Sequence, residues 1–311
     1  MSSRYCIVIA GPTAAGKTAM ATLLARRWNT EVLSADSRQC YREMNIGVAR
    51  PTSEEMQGVP HHFIASHSIL YPVNAADYER YALSVSEDVF SRSPVLVVVG
   101  GTGLYLRAFL EGIDEMPGVP DAVREKVRDL YGQEGLEGLL AAFPAEDPFL
   151  GGNELSNPQR VMRALEVQWA TGRSIRHMQR GVQAERGFKT LYIGLDMARE
   201  ALYERINARV DLMMQRGLLE EVKGLAGSKE NVCLQTVGYK ELFEHLEGEH
   251  DLAHAVELIK QHTRNYAKRQ LTWFRSVEGI EWYGPDAAEA IIARVARFTG
   301  SQPGSALVDE G

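Results

Sequence analysis

The sequence predicts an α/β fold, a P-loop-type parallel sheet flanked by helices that also carries a mainly helical insertion. Three observations lead there. An apolar run ends at a glycine-rich phosphate-loop pattern, a helical stripe and a second short strand follow that loop, and a later valine-rich run ends at another glycine cluster.

Tyr5 to Ala10 is apolar throughout, as strands buried on both faces are, and it stops at Gly11. Met20, Leu23, Leu24 and Trp28 recur at three- and four-residue steps, which predicts a helix between Lys17 and Trp28. Glu31 to Ala35 reads as a strand again, so the three elements form a βαβ unit with a parallel sheet. Pro94 to Val99 is the next strand; Gly100-Gly101-Thr102-Gly103 breaks it, and Leu104 to Leu110 resumes as a helix. Leu191 to Leu195 offers a further strand that ends at Asp196, and Arg199 to Arg275 reads as helical.

Asp114 to Phe188 shows helical periodicity with no convincing strand, over a length no plain crossover needs. The expected organisation is therefore a catalytic core of residues 1–113 and 189–299, a helical insertion over 114–188, and a disordered tail over 300–311.

With 311 residues, 45% of them hydrophobic, the chain has enough apolar material for one large or two modest domains without disulfide or metal support. Cys6, Cys40 and Cys233 are odd in number and far apart, which fits neither a disulfide framework nor a zinc site but a reducing cytoplasm. The first apolar run is too short to span a bilayer and lacks a cleavage pattern, so neither secretion nor membrane insertion is expected. A net charge of −7 disfavours polyanions only on average, because nucleic acid responds to local charge.

The strongest motif is Gly11-Pro12-Thr13-Ala14-Ala15-Gly16-Lys17-Thr18, which fits G-x-x-x-x-G-K-[ST] between a predicted strand and a predicted helix. Its backbone N–H groups and the helix N-terminus would cradle phosphate, Lys17 would add a point charge, and Thr18 could hold Mg²⁺. The same geometry fits any diphosphate. Triphosphate enzymes usually place a metal-holding Asp at the end of another strand, yet Val99 runs into Gly-Gly-Thr-Gly, and no Asn-Lys-x-Asp guanine signature occurs. Asp36, just past the second strand, is a carboxylate where open α/β sheets bind ligands, although a turn or cap role would also fit it.

Gly11 to Thr18, Ser34-Ala-Asp-Ser37 with Tyr41, Asn45-Ile-Gly47, Gly100-Gly-Thr-Gly-Leu-Tyr105, Asn157-Pro-Gln-Arg160 with Arg163-Ala-Leu-Glu166, Val237-Gly-Tyr239 and Lys268-Arg-Gln-Leu-Thr-Trp273 occur in one order along the chain. Together they resemble the bacterial tRNA dimethylallyltransferases of the IPP transferase family. The resemblance implies transfer of the dimethylallyl group from dimethylallyl diphosphate to N6 of the adenosine 3′ of the anticodon, with Mg²⁺ assisting. Thr13 to Thr18 would hold the donor, Asp36 would be the general base, and Thr13 and Arg209 would act on the diphosphate. Asp36, Ser37, Arg38, Gln39, Thr102, Arg124, Gln159, Arg160, Val161, Met162, Arg163, Gln235, Thr236, Val237, Gly238, Tyr239, Lys240, Lys268, Arg269, Gln270, Trp273 and Arg275 match positions associated with tRNA contact.

The chemistry needs these residue types. An exocyclic amine is a weak nucleophile and diphosphate a highly charged leaving group, so positioning, a proton acceptor and cations should carry catalysis. The target base should be flipped out of its stack, with the donor entering by another side through a channel at the edge of the sheet. Two basic stretches suit the RNA: five arginines between Arg160 and Arg180, and Lys260, Arg264, Lys268, Arg269 and Arg275 with no acid among them. Lys260, Arg264 and Lys268 are spaced by four and share one helical face.

His61-His62 lacks a third ligand at a recognisable spacing and fits a strand edge or pocket wall better than a metal site. Glu244, Glu247, Glu249 and Asp251 read as a solvated acidic loop. No Cys/His cluster replaces the zinc-finger extension of eukaryotic relatives, which implies a bacterial, cytoplasmic form, expected to be a monomer. An ATP-dependent small-molecule kinase and a non-catalytic RNA-binding protein are the two alternatives.

Overall fold

The computed structural model describes residues 3–114, 116–179, 181, 183–301 and 304. Arg180 of the first basic stretch, and residues 302, 303 and 305–311 of the expected tail, lie outside the described residues. The chain divides into two compact units, Met1–Glu111 with Glu185–Gly311, and Gly112–Ala184.

The first unit is built on a six-stranded, all-parallel sheet of order β3-β2-β4-β1-β5-β6. The strands are β1 (Tyr5–Ala10), β2 (Val32–Ser34), β3 (His61–His62), β4 (Val95–Val99), β5 (Lys189–Leu195) and β6 (Ile280–Tyr283). β1 sits between β4 and β5, with Ile9 opposite Val99 and Ile193. That central place explains its unbroken apolar sequence, because side chains alternate between two buried faces.

One face carries Ile7, Ile9, Val97, Val99 and Ile193, covered by α1 (Lys17–Arg27) through Met20, Ala21 and Leu24. A C-terminal helix, Ala288–Thr299, adds Ile291, Ile292 and Val295 to that layer. Cys6, Val8, Leu96 and Val98 face the other way. There they meet α2 (Ala75–Phe90), α3 (Gly103–Glu111), α4 (Arg199–Gln215), α5 (Leu218–Gly224) and α6 (Leu252–Arg275), contributing among others Tyr78, Phe109, Val210, Leu218 and Phe274.

β1, β2, β4 and β5 coincide with the runs read as strands. His61-His62, expected at a strand edge or pocket wall, form the edge strand β3. His62 Nε2 lies 2.6 Å from Glu31 Oε2, and His61 Nδ1 lies 2.8 Å from the Val59 carbonyl. β6 and α2 have no counterpart in the sequence reading.

The second unit packs two long helices, Asp121–Ala141 and Pro158–Thr171, around Val127, Leu139, Phe143, Phe149, Val161 and Leu165. The first of them is interrupted at Gly135, whose φ of 65° is not helical. The Asn157-Pro158 pair starts the second: Asn157 Oδ1 accepts from the Gln159 and Arg160 N–H groups, and Pro158 occupies the first turn. Part of that sequence motif is therefore a helix cap. No helix among the described residues is long and apolar enough to cross a membrane.

Candidate active site

The carboxyl ends of β1, β2 and β4 open into one cavity of about 570 Å³, where open parallel sheets place their ligands. Thr13, Ala14, Gly16, Lys17 and Thr18 form one wall; Ser34, Asp36, Gln39, Gly100 and Gly101 come from the ends of β2 and β4. Arg205, Arg209, Leu212, Met213 and Arg216 descend from α4 and its end, and Tyr266 and Gln270 from α6. Five cations, Lys17, Arg50, Arg205, Arg209 and Arg216, face two carboxylates, Asp36 and Glu55, so the cavity favours an anion.

The phosphate loop is shaped by its glycines and by packing. Gly11 turns the chain at φ 135°, and a Cβ there would stand 2.5 Å from the Leu195 carbonyl oxygen. Gly16, left-handed at φ 91°, caps α1 without a side-chain bond, which leaves the first-turn N–H groups for a ligand. Ala14 is buried against Leu202, Ile206 and Ala267. Pro12, Ala14 and Ala15 are buried, so this loop would use backbone rather than side chains.

Lys17 Nζ donates to the Pro12 carbonyl at 2.7 Å. Burial lowers its pKa to about 8, with Asp36 opposing the shift and Arg209 adding to it. Arg209 Nη1 donates to Thr13 Oγ1 at 3.5 Å, and burial lowers its pKa too, Glu55 opposing and Arg205 reinforcing. Asp36 Oδ1 accepts from the N–H groups of Arg38 (2.8 Å) and Gln39 (3.2 Å). This is the turn role that the sequence held open, and it fixes the carboxylate inside the cavity. Ser37 N–H donates to Thr102 Oγ1 at 3.1 Å, tying that turn to the loop after β4. Burial raises the Tyr266 phenol to about 12.

A cation in this cavity would find oxygen donors, among them the Thr18 hydroxyl and the carboxylates of Glu55 and Asp36, whose Oδ2 has no protein partner among the described residues. A sparse oxygen set fits Mg²⁺, which keeps waters and shares substrate phosphates rather than needing a full protein cage. Glu244, Glu249 and His250, which come close enough together to share an ion, lie outside this cavity.

Of the residues matched to RNA contact, Lys240, Lys268, Arg269, Gln159 and Arg160 are exposed. Arg160 pairs with Glu154 at 3.5 Å, Arg163 with Glu166 at 3.3 Å, and Arg124 with Asp121 at 3.4 Å. Gln235 is exposed and donates to the Lys229 carbonyl, while Thr236, Val237 and Met162 are half-buried. Val161, Gly238, Tyr239 and Gln270 are buried, spent on packing and internal hydrogen bonds. Trp273 packs its ring against Gly103, and Arg275 pairs with Asp196 at 2.8 Å.

Lys260 and Arg264 of α6 are less free than the sequence implies, because each has a partner on another helix. Lys260 pairs with Asp211 at 2.9 Å and Arg264 donates to Asn207 at 2.7 Å, both on α4.

Glu221, which belongs to no sequence motif, accepts from the N–H groups of Asn45, Ile46 and Gly47 and from the Tyr239 hydroxyl. It joins two distant motifs, and Asn45 and Ile46 line the cavity. An acid on a short helix carries no local signal of such a role; only its partners reveal it.

The IPP transferase family model matches residues 39–277. The chain is 44% identical to a tRNA dimethylallyltransferase of Cytophaga hutchinsonii over 91% of this chain and 93% of the relative. Against a tRNA dimethylallyltransferase 1 of Bacteroides fragilis it is 40% identical over 94% and 98%. The crystal structure of a tRNA isopentenylpyrophosphate transferase from Bacillus halodurans superposes with a TM-score of 0.71 at 33% identity, covering 96% of this chain and 97% of that one. A eukaryotic dimethylallyltransferase acting on tRNA gives a TM-score of 0.74 at 26% identity, covering 97% and 81%. By sequence and by fold alike, the chain belongs to the IPP transferase family.

Proposed function

We propose that this chain transfers a dimethylallyl group from dimethylallyl diphosphate to N6 of the adenosine 3′ of the anticodon in tRNA, releasing diphosphate. The observation that carries the reading is the meeting of a phosphate loop, a fixed carboxylate and a cluster of arginines in one cavity. In this reading the free N–H groups of the loop, Lys17 and Arg209 hold the diphosphate. The adenine N6 attacks the allylic carbon as its bond to the diphosphate oxygen breaks, and Asp36 accepts the N6 proton.

Arg209 and Lys17 offset the charge that grows on the departing diphosphate. Thr18 would help hold Mg²⁺, which would supply further charge neutralisation on the phosphates. Lys268 and Arg269, exposed on α6, serve the RNA backbone, with Arg160 and Lys240 as further candidates. Tyr239 and Val161 keep those surfaces in shape from within. The enzyme works as a monomer in the cytoplasm, where its tRNA substrate is.

A kinase would need a carboxylate after β4, where Gly100 and Gly101 stand instead. Competition binding decides between the two readings. Dimethylallyl diphosphate should displace a labelled inorganic diphosphate probe at concentrations where ATP does not; preferential displacement by ATP would favour the kinase.

A further inference from the structure

Gln270 matches a position associated with tRNA contact, yet it is 6% exposed and both ends of its amide are engaged inside the fold. Its Oε1 accepts from the Thr13 N–H at 2.8 Å, and its Nε2 donates to the Gly101 carbonyl at 3.0 Å. A buried amide is tolerated only when paired in this way. One turn earlier on α6, Ala267 packs against Ala14 of the same loop. Gly101 is fitted to the arrangement, because a Cβ there would collide with Gln270 Nε2.

The bond to Thr13 has a consequence for the cradle. It takes one N–H of the phosphate loop out of ligand binding, while the N–H groups of Ala14 and Gly16 have no protein partner among the described residues. It also fixes the peptide that presents Thr13 Oγ1 to Arg209. We infer that Gln270 is a positioning residue for the diphosphate cradle, holding Thr13 and the loop after β4 at a set distance, and is not an RNA contact. The inference rests on the reading that this cavity takes a diphosphate, but does not require that RNA be prenylated.

Four measurements test it. In the wild-type protein, amide exchange at Thr13 should be slow before any ligand is added, whereas Ala14 and Gly16 should slow only with inorganic diphosphate and Mg²⁺. Protection of Thr13 that arises only with diphosphate would overturn the inference.

Gln270→Met keeps the volume and removes both bonds, and Gly101→Ala displaces the amide from the other side. Each should weaken inorganic diphosphate about tenfold, and the double variant about tenfold rather than a hundredfold, since both disrupt the same two bonds of the Gln270 amide. Affinity for an anticodon stem-loop RNA should stay within about twofold, and in turnover the donor KM should rise more than the RNA KM. Loss of RNA affinity with diphosphate binding intact would make Gln270 an RNA contact and end the proposal, as would additive effects. Normal diphosphate responses without prenyl transfer would instead count against the activity alone.

Discussion

Arg209 on α4 and Thr13 on the phosphate loop, 196 positions apart in the chain, meet at 3.5 Å across the cavity floor. The contact brings a guanidinium to the loop that would carry the leaving diphosphate, beside Lys17 and facing Asp36. Arg209→Ala should raise the donor KM roughly 10- to 100-fold, the equivalent of about 1.5–3 kcal/mol for a hydrogen bond to a charged group. Steady-state kinetics at saturating tRNA checks this, and an unchanged donor KM would remove Arg209 from diphosphate binding.

Asp36 holds a turn and faces the cavity, and two substitutions separate these duties. Asparagine keeps the acceptor for the Arg38 and Gln39 N–H groups and removes the base. Asp36→Asn should therefore lower kcat about 10²- to 10⁴-fold with tRNA affinity nearly intact. Asp36→Ala should lower kcat similarly but also loosen the turn, seen as a lower Tm.

Burial brings the Lys17 pKa down to about 8, below its usual value, so the free protein loses this charge as pH rises through that region. The cation that attracts the diphosphate is present below about pH 8, so kcat/KM for the donor should fall on the alkaline side with an apparent pKa near 8. A flat profile to pH 10 in the wild type would show that Lys17 does not govern donor capture.

Glu221 satisfies three backbone N–H groups and the Tyr239 hydroxyl. Glu221→Ala should destabilise the protein by about 1–3 kcal/mol through these unpaired donors, measurable in urea unfolding. Because Asn45 and Ile46 line the cavity, donor affinity should fall as well. Full stability in the variant would mean the four donors find other partners.

The cations of α6 should divide by their partners. Lys268→Ala with Arg269→Ala should weaken tRNA binding and reduce its log–log salt slope by about 1.4–1.8, the value for two lost phosphate contacts. Lys260→Ala with Arg264→Ala, which removes groups bound to Asp211 and Asn207, should leave the slope unchanged. The reverse pattern would place the RNA along the face that meets α4.

The parts legible in the sequence are those with strong local chemistry. β1 and β4 are buried on both faces and read as apolar runs, and the phosphate loop is fixed by Gly11 and Gly16. β3 has two residues, too few for any period, and β6 lies half-buried at the edge of the sheet. α2 buries Tyr78, Ala82, Ser86 and Val89, a stripe diluted by small and polar residues, although its Asn74 and Asp77 capping box was readable. In the site, Asp36, Lys17 and Arg209 belong to recognisable motifs. The roles of Gln270 and Glu221 depend on backbone partners between 169 and 257 positions away, which no local pattern encodes.

Purified protein incubated with labelled dimethylallyl diphosphate, Mg²⁺ and unmodified bacterial tRNA, followed by nucleoside analysis, should yield N6-dimethylallyl adenosine at the position 3′ of the anticodon. Unlabelled tRNA, with diphosphate binding intact and no prenylated nucleoside at any position, would contradict prenyl transfer to tRNA.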